Sequence, residues 1–355
     1  MTLSQRVREW IRQDPDVVTR GQLLAMAAAD DPQLAELFAR RLAFGTAGLR
    51  AALGPGPDRM NRLVVRQTTA GLMDWLPEAP RVVIGYDARH GSYDFAHDAA
   101  RVIAAAGARP SSFLVRCQRQ CSRMRCWRDA DAGIMITASH NPPQDNGYKL
   151  YLADGIQLVA PADAEIAAAI ERAAEADVEV ADLDDPRIVV LDDTIVAAHV
   201  DAAVSALKGT ARDVRVVYTA MHGVGGAHLC RAFEQAGFAP PFLVDQQFEP
   251  DPDFPTVDFP NPEEPGRSTS PGPGRLTSVP TWWWPTTPTP IVWRSPRQRP
   301  TATGANSPVM RSGFFSPTTC WPTRRGQIAW WPALSSLARC WRPSRRYMVS
   351  RRSPR

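Results

Sequence analysis

The chain has 355 residues, of which 44% are hydrophobic, and its 41 basic and 37 acidic side chains give a net charge of +4. This length predicts two or three domains with enough apolar content for real cores. No run of eighteen apolar residues occurs, so we expect no membrane span, and the polar start (TLSQRVREWIRQD) is not typical of a signal peptide.

The first hundred residues alternate predicted helix, loop and strand. Residues 1–43 are predicted to form two amphipathic helices, the second beginning at Asp31-Pro32. A glycine-containing loop follows at residues 44–50 (FGTAGLR). Residues 81–86 (RVVIGY) are a predicted strand, and Ser92 is the predicted cap of a helix that ends at Gly107.

The most informative segment is 133–151, GIMITASHNPPQDNGYKLY. Its apolar start is typical of a buried parallel strand, and the prolines that follow indicate a tight polar loop. The loop carries Ser139 and His140, and Lys149, one of only two lysines in the chain, lies ten residues after the serine. A hydroxyl at the carboxyl end of a buried strand beside a histidine is placed for nucleophilic chemistry. The alternative is a surface loop with a chance Ser-His pair.

A second α/β unit is predicted over residues 161–265. It has predicted helices near 162–175, 193–207 and 227–235 and predicted strands at 214–219 and 241–244. The alternation of strands and helices predicts consecutive α/β domains with mixed or parallel sheets and ligands at the carboxyl ends of strands. His222 lies in a glycine-rich turn before a helix, where backbone N–H groups could hold an anion, although a structural turn is the alternative.

Residues 266–355, here called the tail, differ sharply in composition from the rest. They contain fifteen arginines and no lysine, aspartate or glutamate, so the first 265 residues carry 26 basic and 37 acidic side chains, a net charge of −11. The tail also holds fourteen of the 33 prolines and eight of the eleven tryptophans. Neither helical nor strand periodicity is visible in it, which predicts a disordered segment.

Several of these motifs resemble those of the α-D-phosphohexomutase superfamily, the phosphoglucomutases and phosphomannomutases. TASHNP at 137–142 resembles the phosphoserine loop of that family, NGYK at 146–149 its lysine turn, and FGTAGLR at 44–50 the loop that brings an arginine into the active site. GYDARHGS at 85–92, MHGVGG at 221–226 and FPTVDFPNPEEPG at 254–266 resemble the first crossover and the second domain with its exit. The loop at 44–50 looks most like the branch that acts on glucose and pentose phosphates.

The resemblance implies a reversible transfer of a phosphoryl group between two hydroxyls of one sugar phosphate, through a sugar bisphosphate. By position, Ser139 would carry the phosphate, His140 and Lys149 are candidates for proton transfer, and Arg50 would steady the transferring group. Mg²⁺ is the implied cofactor, held by the phosphate on Ser139 and by three family aspartates, and a sugar bisphosphate is the implied activator.

Two weaker candidates complete the predicted site. Arg89 and His222 are predicted to bind substrate or phosphate. For Arg50 and Arg89 alike, a surface salt bridge is the alternative.

The three family aspartates are absent from the chain as written, and the codons indicate a reason. Trp282-Trp283-Trp284 must be encoded by TGGTGGTGG, because tryptophan has one codon. With permitted codons, residues 281–293 displaced by one base give D-L-V-V-A-N-D-P-D-A-D-R-L, which resembles the metal loop. Residues 116–128 likewise give L-P-T-P-V-L-A-Y-A-V-L-A. We therefore interpret residues 111–128 and the tail as frameshifted.

This interpretation defines the domain organisation. Residues 1–155 are predicted to be a phosphoserine-bearing domain, residues 161–265 a second α/β domain, and the tail a non-native replacement of the metal loop, sugar-binding and phosphate-clamp regions. The chain as written is therefore predicted to be inactive. Cys117, Cys121 and Cys126 fall in a frameshifted segment and should not be taken as metal ligands, and Cys230 is predicted to be a small buried hydrophobe. Few other cysteines remain, so a reduced, cytoplasmic setting is expected.

Two other functions compete with this interpretation. The tail could make the chain a non-catalytic protein that binds polyanions, since fifteen arginines attract phosphate backbones. An acyl hydrolase is disfavoured because the G-x-S-x-G motif is missing. The expected partner is thus a sugar phosphate, with no membrane and no nucleic acid, while the identity of the sugar and the oligomeric state stay open.

Overall fold

A computed structural model describes residues 1–107, 112–116, 130–261 and 281–285, and of 112–116 and 281–285 it describes the backbone. The rest of the predicted frameshifted segment 111–128, with its three cysteines, lies outside the described residues. So does the rest of the tail.

Three helices, not two, form the amino-terminal part: α1 (Leu3–Gln13), α2 (Val17–Ala28) and α3 (Gln33–Leu37). The predicted first helix is interrupted at Pro15, which cannot continue a helix. The side chain of Asp16 then accepts a hydrogen bond from the N–H of Val18 at 2.8 Å and caps α2. The predicted second helix is the short α3.

The first sheet has six strands: β1 (Leu49–Ala52), β2 (Val82–Tyr86), β3 (Ser112–Arg116), β4 (Ala132–Ile136), β5 (Asp145–Leu152) and β6 (Ile188–Val190). Their order is β1-β5-β4-β2-β3-β6. The strands β4, β2, β3 and β6 run parallel, whereas β5 pairs antiparallel with both β4 and β1. The predicted mixed α/β fold is therefore confirmed.

Both faces of this sheet are buried, which explains the uninterrupted apolar runs in its strands. Val82 and Ile84 of β2 lie in the main core, whereas Val83 packs with Met135 and Tyr151 on the opposite face. The helices α4 (Arg62–Trp75) and α5 (Ser92–Ala105) pack against each other.

The helix α6 (Ala162–Ala173) packs on α4 at an unusually close distance. A Cβ atom on Gly71 would lie 2.5 Å from the backbone of Ile170, so only glycine fits there. Ile166 and Ile170 belong to the main core, and β6 extends the first sheet. The structure thus joins residues 162–190 to the first unit, whereas the sequence pattern predicts that the second unit begins near Pro161.

The second unit contains α7 (Thr194–Ser205), β7 (Arg215–Thr219), α8 (Gly226–Gln235), β8 (Phe242–Leu243) and β9 (Thr281–Pro285). Its sheet has the order β8-β7-β9 and is parallel throughout. The strand β9 belongs to the tail, for which no regular structure was predicted. Within the described residues, no helix has the length and apolarity required to cross a membrane.

Candidate active site

Ser139 lies just beyond the end of β4, in the segment 137–145, here called the serine loop. Its φ angle is +66°, a left-handed conformation that residues with a side chain seldom adopt. The Ser139 N–H donates to the Thr137 hydroxyl at 2.9 Å, and the residue is 2% exposed. The turn therefore fixes one particular presentation of the serine at the carboxyl edge of the sheet.

His140 and Lys149, the two candidates for proton transfer, differ in their distance from Ser139 and in their burial. The Ser139 Oγ and the His140 Nδ1 are 3.3 Å apart, a distance at which a proton can be shared. Lys149 is buried in β5, where it pairs with Met135 of β4 and lies on the same sheet face as Tyr151. The histidine is thus adjacent to the hydroxyl, whereas the lysine lies further inside the sheet.

Arg50 is brought to the serine loop by strand pairing. It lies on β1, opposite Gly147 of β5, and its Nη1 donates to the Asn141 Oδ1 at 2.9 Å. The Asn141 Nδ2 in turn donates to Asp145 at 2.8 Å. Asn141 thus orients the exposed guanidinium of Arg50 toward the loop. Asn141 belongs to the motif TASHNP at 137–142, although it is not among the site residues predicted from the sequence.

Gly147 makes this arrangement possible. A Cβ atom at this position would lie 2.7 Å from the Leu49 carbonyl oxygen and 2.9 Å from that of Thr137. These two oxygens belong to the backbone on either side of β5, so neither can move without shifting the chain. Glycine therefore permits the close approach that places Arg50 beside the serine loop.

Arg89 anchors the serine loop from the crossover that follows β2. It is 4% exposed. Its two terminal nitrogens donate at 2.7–3.2 Å to four loop carbonyls, those of Ser139, Asn141, Pro142 and Asp145. Burial lowers the pKa of the Arg89 guanidinium, and the nearby Asp87 carboxylate opposes that shift.

These bonds bear on the predicted role of Arg89. Each of its four terminal N–H groups has a carbonyl acceptor, and the remaining Nε lies 3.6 Å from Asp87. Phosphate binding by Arg89 stays a prediction, but the observed geometry gives its guanidinium a different task, which is to shape the backbone around Ser139.

A buried polar network fixes the same crossover. The Ser92 hydroxyl donates to Asp87 at 2.7 Å, and the Asn146 amide donates to the Ser92 hydroxyl and to the His90 carbonyl, both at 2.9 Å. The sequence predicts Ser92 as the cap of α5, but the helix begins at Ser92 itself, so Ser92 is its first residue. The cap position is held by Gly91 at a φ of +74°.

The second unit reaches the same place through residues 251–254. The Arg89 guanidinium carbon lies 4.9 Å from the centre of the Phe254 ring, which is 3% exposed. The exposed side chains of His90 and Asp253 meet at 2.7 Å. The Phe254 ring also makes an edge contact with His222, with ring centres 6.3 Å apart.

His222 lies in the predicted turn, and other residues of the second unit bind both its backbone N–H and its ring. Its N–H donates to the Gln247 carbonyl at 2.9 Å, and its Nε2 lies 2.8 Å from the Thr256 hydroxyl. Burial lowers the pKa of His222, while Asp251 opposes the shift. This N–H is bonded to Gln247, which lies outside the turn, and phosphate binding by His222 stays a prediction.

The described residues do not build a metal site. Across residues 1–107 and 130–261, no three His, Cys, Asp or Glu side chains come together closely enough to hold a metal ion. Mg²⁺ prefers six oxygen ligands in octahedral arrangement. The described side chains alone therefore do not form a magnesium site, and magnesium binding stays a prediction.

Both units of the chain are similar to known proteins. The family model described as "Phosphoglucomutase/phosphomannomutase, alpha/beta/alpha domain I" matches residues 41–177, and the model of domain II matches residues 196–272. A "Probable phosphomannomutase" of Haemophilus influenzae is 42% identical over 224 residues, which cover 58% of this chain and 44% of that protein. The human phosphopentomutase is 35% identical over 295 residues, covering 74% of this chain and 46% of its own length.

Solved structures share the fold. A structure from Thermus thermophilus, solved as a candidate phosphomannomutase, superposes with a TM-score of 0.55 at 22% identity and covers 70% of this chain and 55% of its own. At that identity the likeness concerns the fold alone. The chain spans less than half the length of the two curated relatives named above.

Proposed function

This chain belongs to the α-D-phosphohexomutase superfamily, and we propose that it carries the phosphate-accepting half of a sugar phosphate phosphomutase. The reaction proposed is a reversible transfer of a phosphoryl group between two hydroxyls of one sugar phosphate. The observation that carries this proposal is Ser139, held in a left-handed turn at the end of a buried strand beside His140.

In the proposed transfer, Ser139 begins as a phosphoserine. The bond between its Oγ and phosphorus breaks while a sugar hydroxyl forms a new oxygen–phosphorus bond, which gives a sugar bisphosphate. The hydroxyl proton passes to a base, and the Ser139 oxygen that departs takes up a proton. His140, 3.3 Å from the Oγ, is placed to give the departing Ser139 oxygen its proton. Lys149 is the other candidate for proton transfer.

Arg50 is proposed to balance the charge of the transferring group. Its guanidinium is exposed and is oriented toward the serine loop by Asn141, so an incoming phosphate can reach it. A planar guanidinium binds phosphate oxygens in pairs, which fixes direction as well as charge. Return of the other phosphate to Ser139 would require the sugar to turn around within the site.

The proposed cofactors are Mg²⁺ and a sugar bisphosphate activator, as is general in the family. The described side chains do not supply the metal ligands, and the frameshift interpretation gives a reason. In the displaced reading, the acidic loop follows directly after the residues of β9, whose last residue, Pro285, pairs with Thr219 at the end of β7. That end of β7 leads within three residues to His222.

The chain as written is proposed to have negligible turnover. The frameshift interpretation implies that the tail does not encode the three aspartates or the regions that would hold sugar and phosphate, and positioning of reactants accounts for about 7–11 kcal/mol of barrier lowering in model systems. The sugar is proposed to be a glucose, mannose or pentose phosphate. The comparisons support this range, since the two relatives are named phosphomannomutase and phosphopentomutase and the family model is described as phosphoglucomutase/phosphomannomutase.

A comparison of three purified proteins tests the proposal. The 355-residue chain, a frame-restored protein and its Ser139→Ala variant are each given Mg²⁺, a trace of glucose 1,6-bisphosphate and the 1-phosphates of glucose, mannose and ribose. The restored protein should convert at least one sugar phosphate, and the other two proteins none. Conversion by the 355-residue chain would refute the proposed inactivity, and conversion by the Ser139→Ala variant would refute the proposed mechanism.

A further inference from the structure

The serine loop is held by a residue that touches the second unit, and this connection has a consequence for the proposed reaction. Arg89 gives all four terminal N–H groups to the loop carbonyls, so the position of its guanidinium determines the path of the backbone through Ser139. One face of that guanidinium is covered by the Phe254 ring at 4.9 Å. Phe254 therefore contacts the serine loop indirectly, through Arg89.

Phe254 is itself fixed by the second unit. It packs with Met221 and Val257 in a separate small core and makes an edge contact with the His222 ring. Its φ angle is +49°, and its carbonyl accepts from the Val257 N–H at 3.0 Å. The ring is thus packed against the turn that follows β7.

Of the two contacts between residues 89–90 and 253–254, the aromatic one is the stronger. His90 and Asp253 are 51% and 74% exposed, and an exposed ion pair contributes little because water and salt screen it. Arg89 and Phe254 are 4% and 3% exposed, so their cation–π contact is shielded from water. The Asp87 carboxylate, 3.6 Å from the Arg89 Nε, also offsets the charge of Arg89, but it lies in the first unit and does not connect Arg89 to the second.

We propose that Phe254 is a positioning residue for Ser139: by covering the Arg89 guanidinium, it couples the placement of the second unit to the conformation of the serine loop. This inference depends on the proposed function only for its catalytic meaning. The coupling itself is a property of the fold, and it predicts that loosening Phe254 loosens residues 137–145.

Hydrogen exchange of the full 355-residue chain tests this coupling. Phe254→Leu keeps an apolar side chain in the small core but removes the ring. Peptides covering residues 137–145 should then exchange about three to ten times faster than in the unsubstituted chain, as expected for loss of a shielded cation–π contact. The matched control is Phe238→Leu, because Arg212 lies 4.8 Å from the Phe238 ring in the same unit without touching the serine loop.

A second variant keeps the test decisive if Phe254→Leu disturbs the second unit. Arg89→Lys removes the fork that holds four carbonyls, so the serine loop should exchange faster, and Phe254→Leu should add less in that background than alone, because the two residues act through one contact. Unchanged loop exchange in Phe254→Leu, an equal increase in Phe238→Leu, or full additivity would each overturn the coupling. Failure of Ser139 to accept phosphate would instead overturn the proposed function and leave these exchange rates untouched.

Discussion

At the scale of residues, Ser139 owes its presentation to its neighbours. The Thr137 hydroxyl accepts the Ser139 N–H, Arg89 fixes the carbonyls around it, and Gly147 lets the flanking strand lie close enough for Arg50 to reach the same loop. The serine is thereby held in a left-handed conformation, which costs on the order of 1–3 kcal/mol and persists only when surrounding contacts determine it.

Replacing Gly147 by alanine should destabilise the protein by about 2–4 kcal/mol, because the added methyl would overlap two backbone oxygens that cannot rotate away. Urea unfolding measures the change. The control is Gly21→Ala in α2, where a Cβ atom meets nothing within 4 Å, and alanine there should stabilise by up to about 1 kcal/mol. A Gly147→Ala protein as stable as the parent would contradict the packing described here.

Some residues of the site could be predicted from the sequence and others could not. Ser139, His140 and Lys149 could be located because an apolar run that ends at prolines predicts a strand and then a loop. The task of Arg89 could not, since the carbonyls that it binds come from a segment fifty residues away. Phe254 begins the motif at 254–266, but its contact with Arg89 could not be predicted, because an aromatic residue among prolines has no periodicity that indicates what it contacts.

At the scale of elements, α7 and α8 carry two histidines, His199 and His228, whose pKa values are lowered by burial. Burial and, to a smaller extent, the neighbouring His228 together lower the pKa of His199 to about 4. Burial likewise lowers the pKa of His228, and its buried Nδ1 has no hydrogen-bond partner among the described residues. The one ion pair seen between these helices within the described part of the chain, Arg231 with Asp193, is exposed and compensates little.

Acid should therefore weaken the second unit. An unfolded histidine takes up a proton below about pH 6.5, whereas folded His199 does so only near pH 4, so the unfolded state binds more protons between these values. The free energy of unfolding should be flat above pH 6.5 and fall by about 2 kcal/mol from pH 7.5 to pH 5 through this residue. Urea titrations at both pH values should show a smaller fall in His199→Leu. An equal fall in parent and variant would contradict the assignment.

The elements also differ in how well sequence alone predicted them. The strands β2, β4 and β7 and the helices α5, α7 and α8 agree with their predicted positions within a few residues, because their apolar periodicity is clear. The helix α4 was missed, since its paired valines and threonines and Gly71 weaken the helical pattern. Its helical form depends on an Asn61 cap and on tertiary packing against α6.

At the scale of the whole molecule, the two units meet at the carboxyl ends of their strands. His222 follows β7, Phe254 packs on His222, Arg89 packs on Phe254, and Arg89 binds the Ser139 carbonyl. This chain of contacts places the end of the second sheet next to the serine loop of the first. The strand β9 lies beside β7, and the frameshift interpretation, in which an acidic loop would follow β9 at the same edge, stays a prediction.

The most direct test of the account is to ask whether Ser139 accepts a phosphoryl group. The frame-restored protein and its Ser139→Ala variant are incubated with Mg²⁺ and glucose 1,6-bisphosphate carrying labelled phosphate, and peptides are then sequenced by mass spectrometry. We predict labelled phosphate on Ser139 in the restored protein and no labelled peptide in the variant. Label on another residue, or none on a folded restored protein, would contradict the central claim.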